Sequence, residues 1–337
     1  MSDRCVDSKK TARMNSILHY LKKNKIIHYH NEEIKPYITM KIGGRVKLIV
    51  IIKRNEDLKA LGLKILERDS PYILIGGGSN VIFSDEYSPI IVIINRTPDI
   101  KQYDNHTIQV NSGVTNQSLM NWCIKNNISG LEFLAGIPGS IGGAAAVNAG
   151  AFGKSVSDIL KYAEIIDEKG HIQQVPNLFF QYGYRYSIFK TGKKILLNIF
   201  LNCRQSNRSQ ILTRVNTNLK YRKENHPSYS HFTAGCFFKN PLINNQRISA
   251  GKIMERSHLK GKHFYNLWIS DKHANFIINK GKAGFHDLCN MEKEICEAVF
   301  QKNNVLLERE VIYISPDGKK IRMGICQINC FFKLSKK

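Results

Sequence analysis

The chain is 337 residues long, with 42% hydrophobic and 23% charged residues, and this balance predicts a folded protein of two or three domains. It has no run of about 18 apolar residues, which argues against a membrane span or a membrane partner. The opening segment MSDRCVDSKKTARMNS lacks the apolar core of a signal peptide, so a cytoplasmic location is expected.

The net charge of +23 raises the question of a polyanionic partner. The lysines are scattered among isoleucines and asparagines, however, and no DNA- or RNA-binding motif accompanies them. We therefore expect no nucleic-acid partner, and keep a basic nucleic-acid-binding protein as the alternative from a different functional class. A positive field also suits an anionic small substrate.

The cysteine pattern predicts no metal site. Among eight cysteines there is no CxxC pair, and Cys326 and Cys330 form a CxxxC without a second pair or a histidine cluster nearby. Spacing of this kind favours free thiols in a reducing compartment over zinc ligands.

The first part of the chain predicts a βαβ arrangement. Residues 46–53 form an apolar run typical of a buried strand, and residues 55–68 carry leucine and isoleucine at helical spacing. Another short apolar strand, Tyr72–Ile75, is followed directly by a turn of consecutive glycines.

A strand-rich region follows. Strands are predicted at 90–95, 107–111, 162–167 and 195–202, and Thr115 is expected to cap a helix within this region.

The last part of the chain predicts a third, mixed region. A polar, basic helix begins after Ser206 and is expected to end before Pro227. A final helix carries apolar residues at helical spacing from 288 to 299, and residues 309–315 read as a strand with a basic tail after it.

Two segments rich in small residues are the main candidates for a functional site. Small residues allow close backbone approach and positive φ, so two such segments suggest a large cofactor with phosphates. The first is not a Walker loop, because no Gly-Lys-Ser/Thr follows, and Val81 breaks the GxGxxG pattern; each segment alone could also be a flexible turn or a tightly packed helix entry. The candidate cofactor-binding residues are Gly76, Gly77, Gly78, Ser79 and Asn80 in the first segment, and Ala135, Gly136, Ile137, Pro138, Gly139, Ser140, Gly142 and Gly143 in the second.

Three further motifs carry reactive or charged groups. Arg185 lies between two tyrosines, and an arginine that is partly buried there needs an anionic partner. Cys236 follows a glycine and is either a reactive thiol or a core residue. Glu308 and Glu310 alternate at the start of the last predicted strand, where one of them is expected to be ordinary surface.

Seven segments occur in an order that resembles the UDP-N-acetylenolpyruvoylglucosamine reductase family of peptidoglycan synthesis. They are TMKIGG, GGGSN, GIPGSIGGAAAVNAGAFG, YRYSIFK, AGCFFKNP, SAGKIMERSHLKG and LEREV, and they run from about Ile38 to Ile312. The short interval between Arg185 and Cys236 resembles the type II branch, which lacks a substrate-closing loop.

The resemblance implies an α+β protein with a vanillyl-alcohol-oxidase-type FAD-binding fold. Two FAD-binding subdomains would be followed by a third, α+β domain that binds the substrate. The expected division is 1–88, 89–205 and 206–308 for these three parts, with 309–337 as a strand returning to the active site and a tail.

The resemblance also implies an NADPH- and FAD-dependent oxidoreductase, a UDP-N-acetylmuramate dehydrogenase that serves cell wall biogenesis, cell shape and cell division. It would reduce UDP-N-acetylglucosamine enolpyruvate to UDP-N-acetylmuramate. Arg185 matches the arginine that binds the substrate carboxylate, and Glu310, which directly precedes a valine, matches the carboxylate of the same cluster. Cys236 stands where the family usually has a serine that donates a proton.

Further expectations concern the ligands and the assembly. Tyr184, Lys239 and Asn240 match substrate-binding positions, and Tyr221, Arg222 and Lys223 are looser candidates for contacts with the diphosphate. FAD is expected to be non-covalent, because the two glycine-rich segments contain neither histidine nor cysteine. We expect a monomer. The alternative within enzymes is a flavin oxidoreductase of the same fold that acts on another substrate.

Overall fold

A computed structural model describes residues 14–67, 70–191 and 193–321. The helices are α1 (14–23), α2 (Asn55–Glu67), α3 (Asn116–Lys125), α4 (Ile141–Val147), α5 (Arg208–Asn225), α6 (Ala250–Arg256) and α7 (Phe285–Asn303). The strands are β1 (Ile27–Glu33), β2 (Arg45–Ile52), β3 (Tyr72–Ile75), β4 (Val81–Phe83), β5 (Ser88–Asn95), β6 (Ile100–Asp104), β7 (Thr107–Asn111), β8 (Ile128–Ser129), β9 (Gly150–Ala151), β10 (Lys154–Ser155), β11 (Leu160–Ile166), β12 (Ile172–Pro176), β13 (Ile195–Asn202), β14 (Arg204–Gln205), β15 (Leu242–Ile243), β16 (Gln246–Arg247), β17 (His263–Phe264), β18 (Leu267–Ile269), β19 (Ile277–Asn279), β20 (Ile312–Ile314) and β21 (Lys320–Ile321).

The chain passes between two compact units more than once. The first unit comprises the described residues before 33 together with Val46–Gly78 and Pro89–Arg222. The second comprises Glu33–Arg45, Ser79–Ser88 and the described residues from Lys223 onward. The four-part division expected from the sequence follows chain order and stays a prediction.

The first unit begins with a four-stranded sheet in the order β1-β2-β5-β3. β3 and β5 run parallel, with Tyr72 opposite Ile91. β5 therefore lies between the two strands of the predicted βαβ arrangement, because it returns into the sheet after the glycine turn. Apolar side chains of α1, α2, β2 and β5 form one core cluster, and a strand covered on both faces needs the continuous apolar run that β5 has.

The second sheet of this unit has five antiparallel strands in the order β12-β11-β13-β7-β6. Ile199 of β13 pairs with Val110 of β7 near its centre. α3 and α4 pack against this sheet and enclose a second core cluster. The predicted cap of α3 is confirmed, since the Thr115 hydroxyl accepts a hydrogen bond from the Ser118 amide at 3.0 Å.

The second unit is built on smaller sheets. β20 runs parallel to β4, with Ile312 opposite Val81, and β17, β18 and β19 form an antiparallel sheet. α6 and α7 pack on these strands around a third core cluster, in which Leu288, Ile295 and Val299 are fully buried. The apolar spacing predicted for the last helix is confirmed.

Sheets and helices mix in both units, so the predicted α+β class is confirmed. α5 ends at Asn225, two residues before Pro227, as expected. The last strand is shorter than predicted, with only Ile312–Ile314 in β20, because the backbone of Arg309 pairs with Phe238 instead.

The structure also bears on membrane-spanning helices and on metal-binding groups. Within the described residues, no helix has the length and apolar character needed to cross a bilayer. The same part of the chain contains no group of histidine, cysteine and carboxylate side chains placed to hold a metal ion. Cys326 and Cys330 lie outside the described residues.

Candidate active site

Gly76 and Gly77 of the first glycine-rich segment meet the second segment inside the first unit. A Cβ atom on Gly77 would lie 2.5 Å from the Cα of Gly139, and one on Gly76 would overlap the Ser140 hydroxyl. No side chain larger than hydrogen fits between these turns. The structure thus brings together two segments that are about 60 residues apart in the sequence.

Backbone conformation explains the glycines at the turns themselves. Gly136 and Gly139 have φ of 75° and 106°, which other residues rarely adopt, and Gly78 has 63°. Ser140 then caps α4, with its hydroxyl accepting from the Gly143 amide at 3.2 Å.

The remaining candidates of the second segment differ in their surroundings. A Cβ on Gly142 would lie 2.6 Å from the Ser112 carbonyl oxygen, so packing against the second sheet explains that glycine. Gly143 is exposed and would tolerate a side chain, with the Ser140 hydroxyl 3.6 Å away. Ala135 is buried, Ile137 is half-buried and Pro138 is exposed on the same turn.

The first segment spans the boundary of the two units. Gly76–Gly78 belong to the first unit, whereas Ser79 and Asn80 belong to the second. The Asn80 carbonyl accepts from the Ile312 amide at 3.0 Å, and this bond leads into the parallel pair of β4 and β20.

Arg96, which the sequence analysis missed, lies beside the first glycine turn. Its Nη1 donates to the Gly76 carbonyl at 2.9 Å from a half-buried position. Burial lowers the pKa of its guanidinium, and no carboxylate of the described residues acts on that pKa. The one signal in the sequence is an arginine placed directly after the apolar strand β5.

Arg222 contacts the other glycine-rich segment. Its Nε donates to the Ala135 carbonyl at 3.0 Å, and its guanidinium lies 5.4 Å from the Phe152 ring centre. The Tyr221 ring meets the same phenylalanine edge-on at 5.5 Å. Lys223, the third member of this group of candidates, belongs to the second unit.

Arg185 lies in a tight turn of the first unit. Gly183 and Tyr186 exchange backbone hydrogen bonds, which leaves Arg185 with a φ of 55°. That conformation is uncommon for arginine and costs free energy, as is frequent at functional sites. Both terminal nitrogens donate to the Gly150 carbonyl at 3.3 Å, and the Tyr184 ring lies 5.4 Å from the guanidinium.

Cys236 and Glu310 lie on neighbouring backbone segments of the second unit. The Glu310 amide donates to the carbonyl of Phe237, the residue next to Cys236, at 2.8 Å. On its other side, the backbone of Cys236 pairs with Phe276. The structure thus brings two of the three predicted catalytic residues onto adjacent segments and places the third, Arg185, in the first unit.

The two predicted substrate-binding residues of this unit also have partners. Lys239 forms an ion pair with Glu308, whose side chain is 66% exposed, so Glu308 has the surface position expected for one of the alternating carboxylates. The side-chain oxygen of Asn240 accepts from the Ala250 amide at 3.0 Å, at the start of α6.

A buried ion pair holds the segment that carries Glu310. Arg309 pairs with Glu292 of α7 at 3.0 Å, both side chains being almost fully buried, and stacks over Tyr313 at 3.5 Å. Burial raises the pKa of Glu292, while the guanidinium opposes that rise. This pair was not predicted, because a single arginine between two glutamates reads as surface.

A buried asparagine holds the segment that carries Cys236. The Asn275 amide accepts from the Phe238 N–H and donates to the Phe238 carbonyl, both at 2.8 Å. The Asn275 side chain therefore satisfies both backbone hydrogen-bonding groups of Phe238, as the backbone of an adjacent strand would.

We expect Asn275→Asp to destabilise the protein at neutral pH. A carboxylate cannot donate to the Phe238 carbonyl, and leaving a buried acceptor unpaired costs about 1–3 kcal/mol. Burial against that carbonyl raises the pKa of the new carboxyl. The loss of unfolding free energy is therefore present at pH 7. It shrinks at lower pH, because the protonated carboxyl can again donate to the Phe238 carbonyl. Urea unfolding of variant and wild type at pH 7 and pH 5 measures the difference.

An equal loss at both pH values would contradict that prediction. Asn105→Asp, in an exposed turn, is the matched control and should change stability by less than about 0.5 kcal/mol.

Comparison with known proteins shows the family to which the chain belongs. The sequence profile of the C-terminal domain of UDP-N-acetylenolpyruvoylglucosamine reductase matches residues 226–314, and that of an FAD binding domain matches 46–176. A UDP-N-acetylenolpyruvoylglucosamine reductase of Bacillus pumilus is 34% identical over 290 residues, which are 86% of this chain and 94% of the relative. The chain belongs to the UDP-N-acetylenolpyruvoylglucosamine reductase family.

Two further relatives support the family membership. The reductase of Bacillus subtilis is 33% identical over 283 residues, covering 83% of this chain and 92% of the relative. The crystal structure of the Thermus caldophilus reductase matches with a TM-score of 0.70 and 29% identity, over 86% of this chain and 98% of that one.

The contact between the glycine turns gives a second prediction for this member of the family. Gly77→Ala should weaken FAD binding by about 10-fold, since a Cβ 2.5 Å from Gly139 forces the turns apart. Flavin fluorescence during titration of the apoprotein measures the affinity. Gly183→Ala, whose Cβ would meet only the Tyr186 side chain, at 3.7 Å, should bind FAD like the wild type. Unchanged affinity of Gly77→Ala would contradict a cofactor site at these turns.

Proposed function

We propose that this chain reduces UDP-N-acetylglucosamine enolpyruvate to UDP-N-acetylmuramate, with FAD as cofactor and NADPH as reductant, in peptidoglycan precursor synthesis. The observation that carries the proposal is that one chain holds both an FAD binding domain at 46–176 and the reductase C-terminal domain at 226–314.

The residues of the first unit fit FAD. Two turns of small residues meet, with no room for a side chain at Gly76 or Gly77. Backbone amides of such turns are the groups that would hold the phosphates of FAD. A half-buried guanidinium adds positive charge beside them. Bound there, FAD supplies the hydride chemistry that links NADPH to the enolpyruvyl group.

Arg185 binds the carboxylate of the enolpyruvyl group. Its guanidinium is permanently charged, and its planar fork matches a carboxylate with two parallel hydrogen bonds. The turn between Gly183 and Tyr186 and the contact with the Gly150 carbonyl position the guanidinium before substrate arrives. The carboxylate would bind at an edge of the guanidinium that Gly150 does not occupy. A preorganised cation of this kind also stabilises negative charge that develops next to the carboxylate during reduction.

Cys236 donates the proton that completes the reduction. A thiol is a far stronger acid than the serine hydroxyl usual in the family, so it can deliver a proton to an enolate-like carbon. Glu310 lies on the segment that is hydrogen-bonded next to Cys236, and in its protonated form it polarises the intermediate. Tyr184, Lys239 and Asn240 contact the sugar nucleotide.

The visible spectrum of the purified protein tests this function. Flavin absorbance should bleach with NADPH under anaerobic conditions and return on addition of the enolpyruvyl sugar nucleotide. If oxygen restores the flavin absorbance and the enolpyruvyl sugar nucleotide does not, the protein is a flavin oxidoreductase that acts on another substrate.

Acid precipitation should release the flavin into the supernatant, because the attachment is non-covalent.

We also propose that the enzyme acts as a monomer in the cytoplasm. Sedimentation equilibrium of the FAD-bound protein should give a mass near the 38.5 kDa of one chain. A mass twice as large would overturn the monomer.

A further inference from the structure

Arg96 is a half-buried cation that has no acidic neighbour among the residues that the structure describes. Its guanidinium makes a hydrogen bond of 2.9 Å to the Gly76 carbonyl, which is neutral. Within the described chain no carboxylate shifts its pKa, and burial lowers that pKa. Partial removal of a cation from water without a counter-charge is unfavourable, so an anion bound beside this guanidinium would be stabilised.

The position of this cation says where the anion would lie. The carbonyl that Arg96 contacts belongs to Gly76, the glycine whose Cβ would overlap Ser140, and the next residue, Gly77, faces Gly139. Arg96 is therefore beside the point where the two glycine turns meet. Arg222 also lies next to these turns, where it contacts the Ala135 carbonyl and has its guanidinium 5.4 Å from the Phe152 ring centre.

We propose that Arg96 anchors the diphosphate of FAD where the two glycine turns meet. The two phosphates are the anionic groups of FAD at neutral pH, so a cation at this point distinguishes FAD from riboflavin. A guanidinium can donate to a phosphate with one edge while its Nη1 keeps the bond to Gly76. The inference rests on the FAD dependence proposed above.

Arg96→Gln tests the role of the charge. Glutamine removes the charge and keeps a side-chain N–H donor. The dissociation constant for FAD should rise by about 10-fold to 100-fold, the range for a hydrogen bond to a charged group. The affinity for riboflavin, which has no phosphate, should stay within about twofold, and the salt dependence of FAD binding should flatten. Fluorescence titration of the apoprotein measures all three quantities.

Thermal unfolding separates anchoring from a structural role. Without FAD, Arg96→Gln should unfold at the same temperature as the wild type or higher, because a half-buried charge without counter-charge has been removed. The rise in unfolding temperature on adding FAD should shrink. A lower unfolding temperature of the apoprotein, or equal losses of FAD and riboflavin affinity, would overturn the proposal.

Two controls complete the experiment. Arg96→Lys keeps the charge and should bind FAD more tightly than Arg96→Gln; weaker binding by the lysine variant would count against the proposal. Lys101→Gln removes one charge from an exposed position of β6 and should leave FAD affinity unchanged. If the wild type binds FAD and Arg96→Gln binds it equally tightly, this inference alone is overturned. A wild type that binds no FAD would overturn the proposed function with it.

Discussion

Replacing Arg185 by alanine is expected to slow reduction of the enolpyruvyl substrate by about 100-fold or more, the scale for losing one preorganised electrostatic partner. The guanidinium is held by the Gly150 carbonyl and lies near the Tyr184 ring, so its position is set before substrate binds. FAD should remain bound, and NADPH should reduce it at close to the wild-type rate. Stopped-flow measurement of the two half-reactions gives both rates.

The two half-reactions distinguish a role at the substrate from a general defect. Equal slowing of both would show that Arg185 acts elsewhere. Arg185→Lys keeps the charge without the fork and should retain more activity than the alanine variant. Arg208→Ala, an exposed residue at the start of α5, is the control for loss of a surface arginine and should leave both rates unchanged.

Replacing Cys236 by alanine is expected to block reoxidation of the reduced enzyme by the substrate, with a loss of at least about 100-fold, because a positioned proton donor contributes about 100-fold to 10,000-fold. Reduction by NADPH should be unaffected. Stopped-flow reoxidation of the reduced variant is the deciding measurement. A wild-type rate would identify Cys236 as a packing residue, and the variant would then lose stability instead of activity.

Cys236→Ser is the companion variant. A hydroxyl of the same shape should restore substantial activity, and activity should extend to higher pH, because alcohols stay protonated where thiols ionise. Alkylating reagents should inactivate the wild type, with substrate protecting, and should leave the serine variant active. Inactivation of both proteins at the same rate would place the sensitive thiol elsewhere, for example at the half-buried Cys203 or Cys289.

Much of the local structure could be predicted from the sequence. The apolar run at 46–53 became β2, the spacing in 55–68 became α2, and Thr115 caps α3. These features depend on interactions between residues close in the chain, or on an apolar period that reports which face is buried. The order of seven motifs also indicated the family, which the matched relatives confirm.

Long-range pairing is what the sequence could not show. A strand was predicted at 309–315, but β20 comprises only Ile312–Ile314, because the backbone of Arg309 pairs with that of Phe238. The burial of Arg309 against Glu292 was equally invisible, since a charged residue is buried only where the fold provides its counter-charge.

The sequence by itself determined which residues have the chemistry: small residues at the two glycine-rich turns, an arginine between tyrosines, and a thiol and a carboxylate in two later motifs. Only the tertiary structure decided which of them meet. It set Gly77 against Gly139, placed Cys236 and Glu310 on adjacent segments, and put Arg96 beside the glycine turns. Contact between residues 60 or more positions apart depends on how sheets pair and helices pack, and local residue patterns do not encode that pairing.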